Sequence, residues 1–512
     1  MVCPTKVNSI EARQGSVCCT MKNWSVKRIP METALENLEP KSLWRHFAAL
    51  SAIPRASTKE AAARDYVLAQ AARLGLDPIQ DGAGNLVIRK PAAPGREGAT
   101  PAALQGHLDM VCEKNEGTTH DFDTDPIRLI RDGDWLKADG TTLGADNGVG
   151  VAAALAVMES EDIAHGPLEF VFTIDEESGL TGASEFPNGL LKSQYFLNLD
   201  GEEEGTLCIG CAGGLNTVAR RKVERRPAAA GEGWRVRVSG LQGGHSGLDI
   251  DRGRGNAVRI LGRVLEILTD RLPLAVAEMQ GGSKRNAIPR EAFAIMVLDG
   301  AREQELRSLV ATAETQIRSE FGAFDSGLKI AVEPVTRPQQ VLADADARLV
   351  AGLLASLHHG VLAMSPDVAG LVQTSTNLAT VSARADEVEI ETSQRSAIES
   401  SKLAAGRMVS TIFRLAGFEV EHTGGYPGWK PEPTSDIVRK SQAAHLEILG
   451  KTPELVAMHA GLECGVIGEK HPGMQKISFG PHIVDVHSPS ERLKISSVEP
   501  FWNFLKGLLE RL

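Results

Sequence analysis

Along the chain, apolar positions at helical spacing take turns with short apolar runs, and this alternation predicts helices and strands in succession. Leu43, Phe47 and Leu50 predict a first amphipathic helix that ends near Pro54. Ser57 and Glu60 then read as a capping box for a second, with Val67, Ala71 and Leu74 inside it and Gly75 as its stop. NLVIRK (85–90), AALQGHLDMV (102–111), LEFVFTID (168–175) and YFLNLD (195–200) predict strands. Val151, Leu155 and Met158 form an i, i+4, i+7 stripe free of proline, which predicts a helix between the second and third of these strands. Such an order implies an α/β sheet.

From Trp234 the pattern changes. WRVRVSG, a helix over 257–270, strands around PLAVAEM and AFAIMVL, a helix over 303–321 and the strand LKIAVEPV follow in turn. This β-α-β-β-α-β order is the ferredoxin-like one and marks an inserted α+β domain. Residues 340–415 add two helices and two or more strands to it, in one lobe or two. GGYPGWKP then suits a return linker, followed by a helix over 435–449, HAGLECG, the strand MQKISFG and a last helix burying Phe501, Phe504, Leu505, Leu508 and Leu512. The expected division is 1–35 as a disordered or untranslated segment, 36–215 and 419–512 as two parts of one domain, and 216–418 as the insertion.

Composition narrows the class. A chain of 512 residues exceeds what one core usually supports. A hydrophobic content of 42% with 24% charged residues is that of a globular enzyme. The net charge of -11 disfavours nucleic acid or an anionic membrane as partner, and no apolar run is long enough to span a bilayer. Seven irregularly spaced cysteines argue for a reducing, cytoplasmic setting, and the Cys208–Cys211 C-x-x-C lacks a second pair or a redox context. The first 30 residues lack the apolar core of a signal peptide, so translation from Met21 or Met31 is an alternative to a disordered start at Met1.

The candidate chemistry centres on TTLGADNGVG (141–150). Asp146 sits there near a helix start, and by itself it reads equally as an N-cap or as part of an Asp-Asn-Gly turn. Gly148, Gly150 and Ala153 fit a dinucleotide fingerprint, yet TTLGADN is not the apolar strand that must feed one. Other acids and histidines fall at the C-terminal ends of the strands, where open α/β sheets place their sites: His107 and Asp109, then Asp175, Glu176 and Glu177, then Asp200. His487 lies in the last loop. A two-metal hydrolytic site needs ligands for each ion and a shared carboxylate. His107 and Asp200 suit one ion, Glu177 and His487 the other, with Asp146 between. Two divalent ions bring +4, and three carboxylates with a bound hydroxide balance it. The mixed donors suit zinc, and also cobalt or manganese. Asp109, two residues from His107, is placed to orient its imidazole. Glu176, diverging from Glu177 at a strand end, is placed as general base.

HLD (107–109), GADNG (144–148), DEESG (175–179), NLDGEE (198–203), GGHSG (243–247) and HSPSE (487–491) together resemble the M20 family of zinc peptidases. HLDMVCEKN, GGSKRNAIPR and HAGLECG are similar to its aminoacyl-histidine dipeptidase (Xaa-His, PepD) branch, which includes carnosine-cleaving enzymes. The likeness runs from about Leu43 to the C-terminus. It implies a catalytic domain with a central mixed sheet and two metals, interrupted by a ferredoxin-like lid, and the same ligand and catalytic residues. It also implies three lid residues that reach substrate: His245 as donor to the developing oxyanion, and Asn286 and Arg395 near the free carboxylate. From the residues alone His245 reads equally as a surface-turn histidine, Asn286 as a turn residue and Arg395 as a surface ion pair. His459 and Glu463 fit the branch pattern without a derivable role. The implied function is hydrolysis of unblocked dipeptides, preferring Xaa-His such as β-alanyl-histidine, by a metal-bridged hydroxide with Glu176 as base. Dipeptide hydrolysis of other specificity and N-acyl amino acid deacylation are the alternatives, and a homodimer is compatible with either. A non-catalytic relative would show gaps in the ligand set, and there are none. H-E-x-x-H and G-x-S-x-G are absent, and Gly450-Lys451-Thr452 lacks the earlier glycine of a P-loop.

Overall fold

The computed structural model describes residues 33–512. The expectation of disorder for 1–35 therefore falls outside the described residues except at Thr33–Leu35, a 3-10 turn that buries Leu35.

Eight strands form a mixed sheet in the order Pro78–Gln80, Leu86–Lys90, Leu168–Thr173, Ala102–His107, Tyr195–Asn198, Gln475–Ser478, Thr206–Cys211, Glu454–Met458. Its centre is parallel, Ala102–His107 pairing with Leu168–Thr173 on one side and Tyr195–Asn198 on the other. These three strands are buried at every position, as strands covered on both faces must be. Successive side chains go to opposite faces. Leu104, Phe170, Phe172 and Leu197 pack with helices Lys41–Ser51, Ala145–Glu159 and Ile495–Leu509, while Ala103, Val171 and Phe196 meet Phe186, Cys464 and Ile467 across the sheet. The Val151, Leu155, Met158 stripe understates the helix that carries it. Every residue from Ala145 to Met158 is buried, so the helix is apolar all round and not amphipathic.

The insertion is one lobe. Its sheet runs Lys329–Val335, Glu232–Ser239, Ala292–Leu298, Ala275–Gly281, Val372–Arg384, Glu387–Ser396, Gly213–Lys222, Glu419–Tyr426, drawing in whole strands on either side of 216 and 418. The first four have the ferredoxin-like spatial order, fourth-first-third-second. The remaining four repeat it: Gly213–Lys222, helix Asp344–Ser356, Val372–Arg384, Glu387–Ser396, helix Glu399–Leu415, Glu419–Tyr426. One β-α-β-β-α-β unit is thus nested inside the first connection of another. The two join edge to edge where Met279–Gly281 pairs with Val381–Ala383, and helices Ala257–Arg271 and Asp344–Ser356 pack against each other there. A single apolar core runs under both.

No helix among the described residues is long and apolar enough to cross a membrane. Cys208 and Cys211 are buried free thiols, pushed up to about 11 and about 12 by that burial, which makes them packing residues.

Candidate metal centre

The three parallel central strands end on one edge, and the loops that follow carry the acids. His107 is the last residue of its strand, Asp200 lies two beyond Asn198, and Asp175–Glu177 follow Thr173. Asp175 has a left-handed φ of 50°, after which Glu176 and Glu177 open a helical turn, Glu176–Gly179. The expected divergence of Glu176 and Glu177 therefore comes from helical geometry and not from a strand end. Asp146 and Asn147 have non-helical backbone angles at the start of Ala145–Glu159, so the regular helix begins only beyond them.

These pieces bring the five expected ligands together. His107 Nε2 lies 2.9 Å from Asp146 Oδ1 and 3.4 Å from Asp200 Oδ1. His487 Nε2 lies 3.1 Å from Asp146 Oδ2 and 2.9 Å from Glu177 Oε2. Asp146 thus turns one carboxylate oxygen to each histidine. His107, Asp146 and Glu177 offer donor atoms all within 4.8 Å of one another. The residues fit a bound cation by a direct sign: Glu177 Oε1 is buried with no hydrogen-bond partner among the described residues. Electrostatics agree. Burial works against a charge on His107, yet Asp200 and hydrogen bonds to Asp109 and Asp146 hold its proton well above the ordinary range. Hydrogen bonds to Asp146 and Glu177 push His487 up to about 11. Burial alone would raise Asp146, but the two histidines hold it far below. A set of carboxylates that keeps protons on its histidines is one in which divalent ions displace those protons.

Asp109 ties the centre together. Its carboxylate lies 3.4 Å from His107 Nδ1 and accepts the N–H of Glu176 (3.0 Å) and Glu177 (3.2 Å) and the Ser57 hydroxyl (2.8 Å). Burial opposes its charge, but the bond to His107 keeps it at about 2. The strand stops at His107, so Asp109 faces the imidazole through its loop and not by strand periodicity. Ser57 makes no capping box either. Its hydroxyl serves Asp109, while Glu60 accepts the N–H of Thr58 (2.7 Å) and Asp175 (3.0 Å). Glu60, Asp109 and Asp175 also lie within 4.8 Å of one another, but each already accepts protein hydrogen bonds that fix these loops. Glu176 is pushed well above the ordinary carboxyl range, by burial first and then, against the pull of His107, by Asp200, Glu463 and Glu177. A carboxylate so placed both accepts and returns a proton readily.

Three supporting residues carried no role in the sequence. Glu491 accepts the backbone N–H of Leu143 (2.7 Å), Gly144 (3.0 Å), Ala145 (2.8 Å) and Asp146 (3.3 Å). Buried Arg55 donates to the carbonyls of Leu108 (3.1 Å), Asp109 (2.8 Å) and Gly144, bracing the His107 loop against the Asp146 loop. Glu463 accepts from Gln105 and from Thr173 Oγ1 (2.7 Å) beneath the strand ends. Two of them offered a signal: Glu491 as the last acid of HSPSE, four residues after His487, and Glu463 as the acid of HAGLECG.

In the lid, Gly244–His245 pairs with Ala287–Ile288, and Ser246 N–H donates to the Asn286 carbonyl (2.8 Å). His245 Nδ1 accepts the N–H of Gly247 (3.2 Å) and Leu248 (3.0 Å), which leaves Nε2–H as a donor on a neutral ring. Burial, then the charge of Arg395, lowers it to about 4. Arg395 is no surface ion pair. It is 6% exposed and donates to Tyr426 Oη (2.9 Å) and Ser246 Oγ (3.4 Å); its Nε has no partner, and it makes no ion pair among the described residues. His459 meets the lid through Ser375 Oγ (2.7 Å). From His459 at the lid cluster to Glu463 at the metal centre is four residues, a span of at most about 14 Å.

A sheet-edge site of histidines and carboxylates in this fold defines a hydrolase of the metallopeptidase class. The chain belongs to the peptidase family M20/M25/M40, whose model matches residues 103–511. It is 39% identical over 479 residues to the cytosol non-specific dipeptidase of Escherichia coli (strain K12), covering 93% of this chain and 99% of that one. It resembles the crystal structure of aminoacylhistidine dipeptidase from Vibrio alginolyticus at 41% identity and a TM-score of 0.85, covering 93% and 97% of the two chains. The aminopeptidase PepT of Bacillus cereus shares the fold at 17% identity and a TM-score of 0.54, covering 93% of this chain and 99% of that one.

Proposed function

We propose that this chain is a dipeptidase that hydrolyses unblocked dipeptides, preferring a C-terminal histidine, with two divalent ions, most simply zinc, at the centre described. The observation that carries the reading is Arg395: a buried guanidinium with no ion pair among the described residues, bonded to Ser246 beside His245. Burying such a charge unpaired is costly, so the site awaits an anion. A dipeptide's carboxylate fills it through two parallel hydrogen bonds. The histidine preference follows the name of the Vibrio alginolyticus relative and the cytosolic setting that of the Escherichia coli one, which is itself called non-specific. In this reading the catalytic domain is the chain on either side of the lobe, expected as 36–215 and 419–512, and the lobe expected as 216–418 is the lid, widened by strands Gly213–Lys222 and Glu419–Tyr426, which lie in its sheet.

His107 and Asp200 would hold one ion and Glu177 and His487 the other, with Asp146 shared between them. When bound, the ions supply Lewis acidity at the scissile carbonyl and lower the pKa of water. Glu176 takes a proton from the attacking water and returns it to the leaving amine. Asp109 keeps the His107 imidazole oriented with Nε2 toward the centre. His245 Nε2–H donates to the developing oxyanion, Asn286 lies beside it at the carboxylate end, and Arg395 fixes the substrate's length and direction.

The test is amino-acid release by zinc-loaded protein from β-alanyl-histidine, alanyl-histidine, a dipeptide lacking histidine and an N-acetyl amino acid. Histidine release from the first two, lost on chelation and restored by metal, is expected. Cleavage of the acetyl compound alone would move the chain to the deacylases. Arg395→Met should raise KM for dipeptides by about 10²-fold with both metals retained, as loss of a bidentate charge-assisted contact does. A KM within twofold of the native value would remove Arg395 from the carboxylate.

A further inference from the structure

Arg395 can serve a substrate carboxylate only if it stands at a fixed distance from the metal ligands, and a guanidinium on a long flexible stem does not fix itself. Two hydroxyls hold it. Tyr426 Oη accepts from Nη1 at 2.9 Å, and Ser246 Oγ from Nη2 at the longer 3.4 Å. Ser246 is tied only within the lid, its N–H donating to the Asn286 carbonyl. Tyr426 is the partner that also touches the other domain.

Tyr426 ends the strand Glu419–Tyr426, whose register against Gly213–Lys222 shifts between Thr423 and Tyr426 so that Tyr426 comes opposite Gly214. An irregularity of this kind re-aims a side chain. The Tyr426 carbonyl accepts from Lys402 Nζ at 2.6 Å, which ties its backbone to helix Glu399–Leu415. The ring then lies between two glycines. A Cβ on Gly214 would come within 2.5 Å of Cε1, and a Cβ on Gly461 within 2.8 Å of Cε2. Glycine at such positions marks a close approach by another group. Gly214 belongs to the lid sheet and Gly461 to HAGLECG, so one ring fills a slot with a wall from each domain. The HAGLECG segment is itself held at both ends: His459 bonds Ser375 Oγ at 2.7 Å, and Glu463 accepts Thr173 Oγ1 at 2.7 Å, at the end of the strand that leads to Glu176 and Glu177. Arg395, Tyr426, Gly461 and Glu463 thus form a continuous path from the guanidinium to the metal centre.

We propose that Tyr426 is the positioning residue for Arg395: braced on Gly461, it sets the distance between the carboxylate site and the ions, and so gives the enzyme its demand for a free C-terminal carboxylate. This rests on the dipeptidase reading above. Tyr426 acts through the guanidinium, whose bond to the carboxylate is made in the ground state and the transition state alike. Its loss therefore falls on KM and not on kcat.

Alanyl-histidine and alanyl-histidinamide, which differ in the carboxylate alone, provide the test. Tyr426→Phe removes the hydroxyl and keeps the ring, whereas Gly461→Ala crowds the ring and keeps the hydroxyl. For the native enzyme kcat/KM should favour the acid. In each variant that preference should fall by ~10-fold, the size of one lost hydrogen bond to a charged group, through KM for the acid, with the amide cleaved as by the native enzyme. Both variants should hold two metals by elemental analysis. A preference unchanged within twofold in Tyr426→Phe overturns the proposal. An equal loss on acid and amide also overturns it, because general disruption of the fold gives that result. So does a preference that falls in Tyr426→Phe and not in Gly461→Ala, since the brace on Gly461 would then not set the distance. If Arg395→Met loses the preference while Tyr426→Phe keeps it, the proposal falls and the dipeptidase reading stands. A native enzyme that cleaves neither compound, or treats the two alike, removes both.

Discussion

Glu176→Gln is expected to bind two metal ions as the native protein does and to lose about 10³-fold or more in kcat, in line with the 10²–10⁴-fold ascribed to positioned general bases. The amide matches the carboxylate in shape, so the turn Glu176–Gly179 and the backbone bonds from Glu176 and Glu177 to Asp109 should persist. Glu177, which meets His487 at 2.9 Å, is untouched. What disappears is a proton acceptor. Burial and the charges of Asp200, Glu463 and Glu177 hold its carboxyl well above the ordinary range, which is the condition for returning the proton to a leaving amine. Metal content by elemental analysis and turnover on alanyl-histidine separate the possibilities. Turnover within threefold of native would remove Glu176 from the proton transfers. A loss of metal matching the loss of activity would make it a ligand instead.

The gathering of His107, Glu177 and Asp200 on one edge was legible because strands impose order: three apolar runs, each followed by such residues, put them on one edge if the strands are parallel. The sequence also displays the first β-α-β-β-α-β unit, since each of its helices and strands is local. The second unit was hidden. Its first strand, Gly213–Lys222, is separated from its next helix, Asp344–Ser356, by the whole first unit, so no local pattern joins them. The struts were hidden for a similar reason. Ser57-x-x-Glu60 has the spelling of a capping box, but tertiary partners claim both side chains: Asp109 takes the serine, and the N–H of Asp175 takes the glutamate. Arg395 shows the opposite failure. A charged residue on a strand reads as solvated until the fold closes over it and leaves its Nε with nothing to bond.

Glu491→Ala is expected to destabilise the protein by about 3–4 kcal/mol and to weaken metal binding at least tenfold, because it strips the acceptor from several buried donors that each cost about 1–3 kcal/mol to leave unpaired, less than additively. Glu491 is 2% exposed, and its two oxygens take four consecutive N–H groups, from Leu143 to Asp146. Those donors stand at the head of a buried helix, where a helix leaves its N–H groups unsatisfied and its dipole favours an anion. The same carboxylate fixes the loop that carries Asp146, the proposed shared ligand, so stability and metal affinity should fall together. Glu491→Gln, which keeps one acceptor oxygen, should lie between the two. Denaturant unfolding and metal titration would check this. An Ala variant that unfolds at the native midpoint and binds both ions with native affinity would mean that Arg55, through its bonds to Gly144 and Asp109, holds the loop unaided.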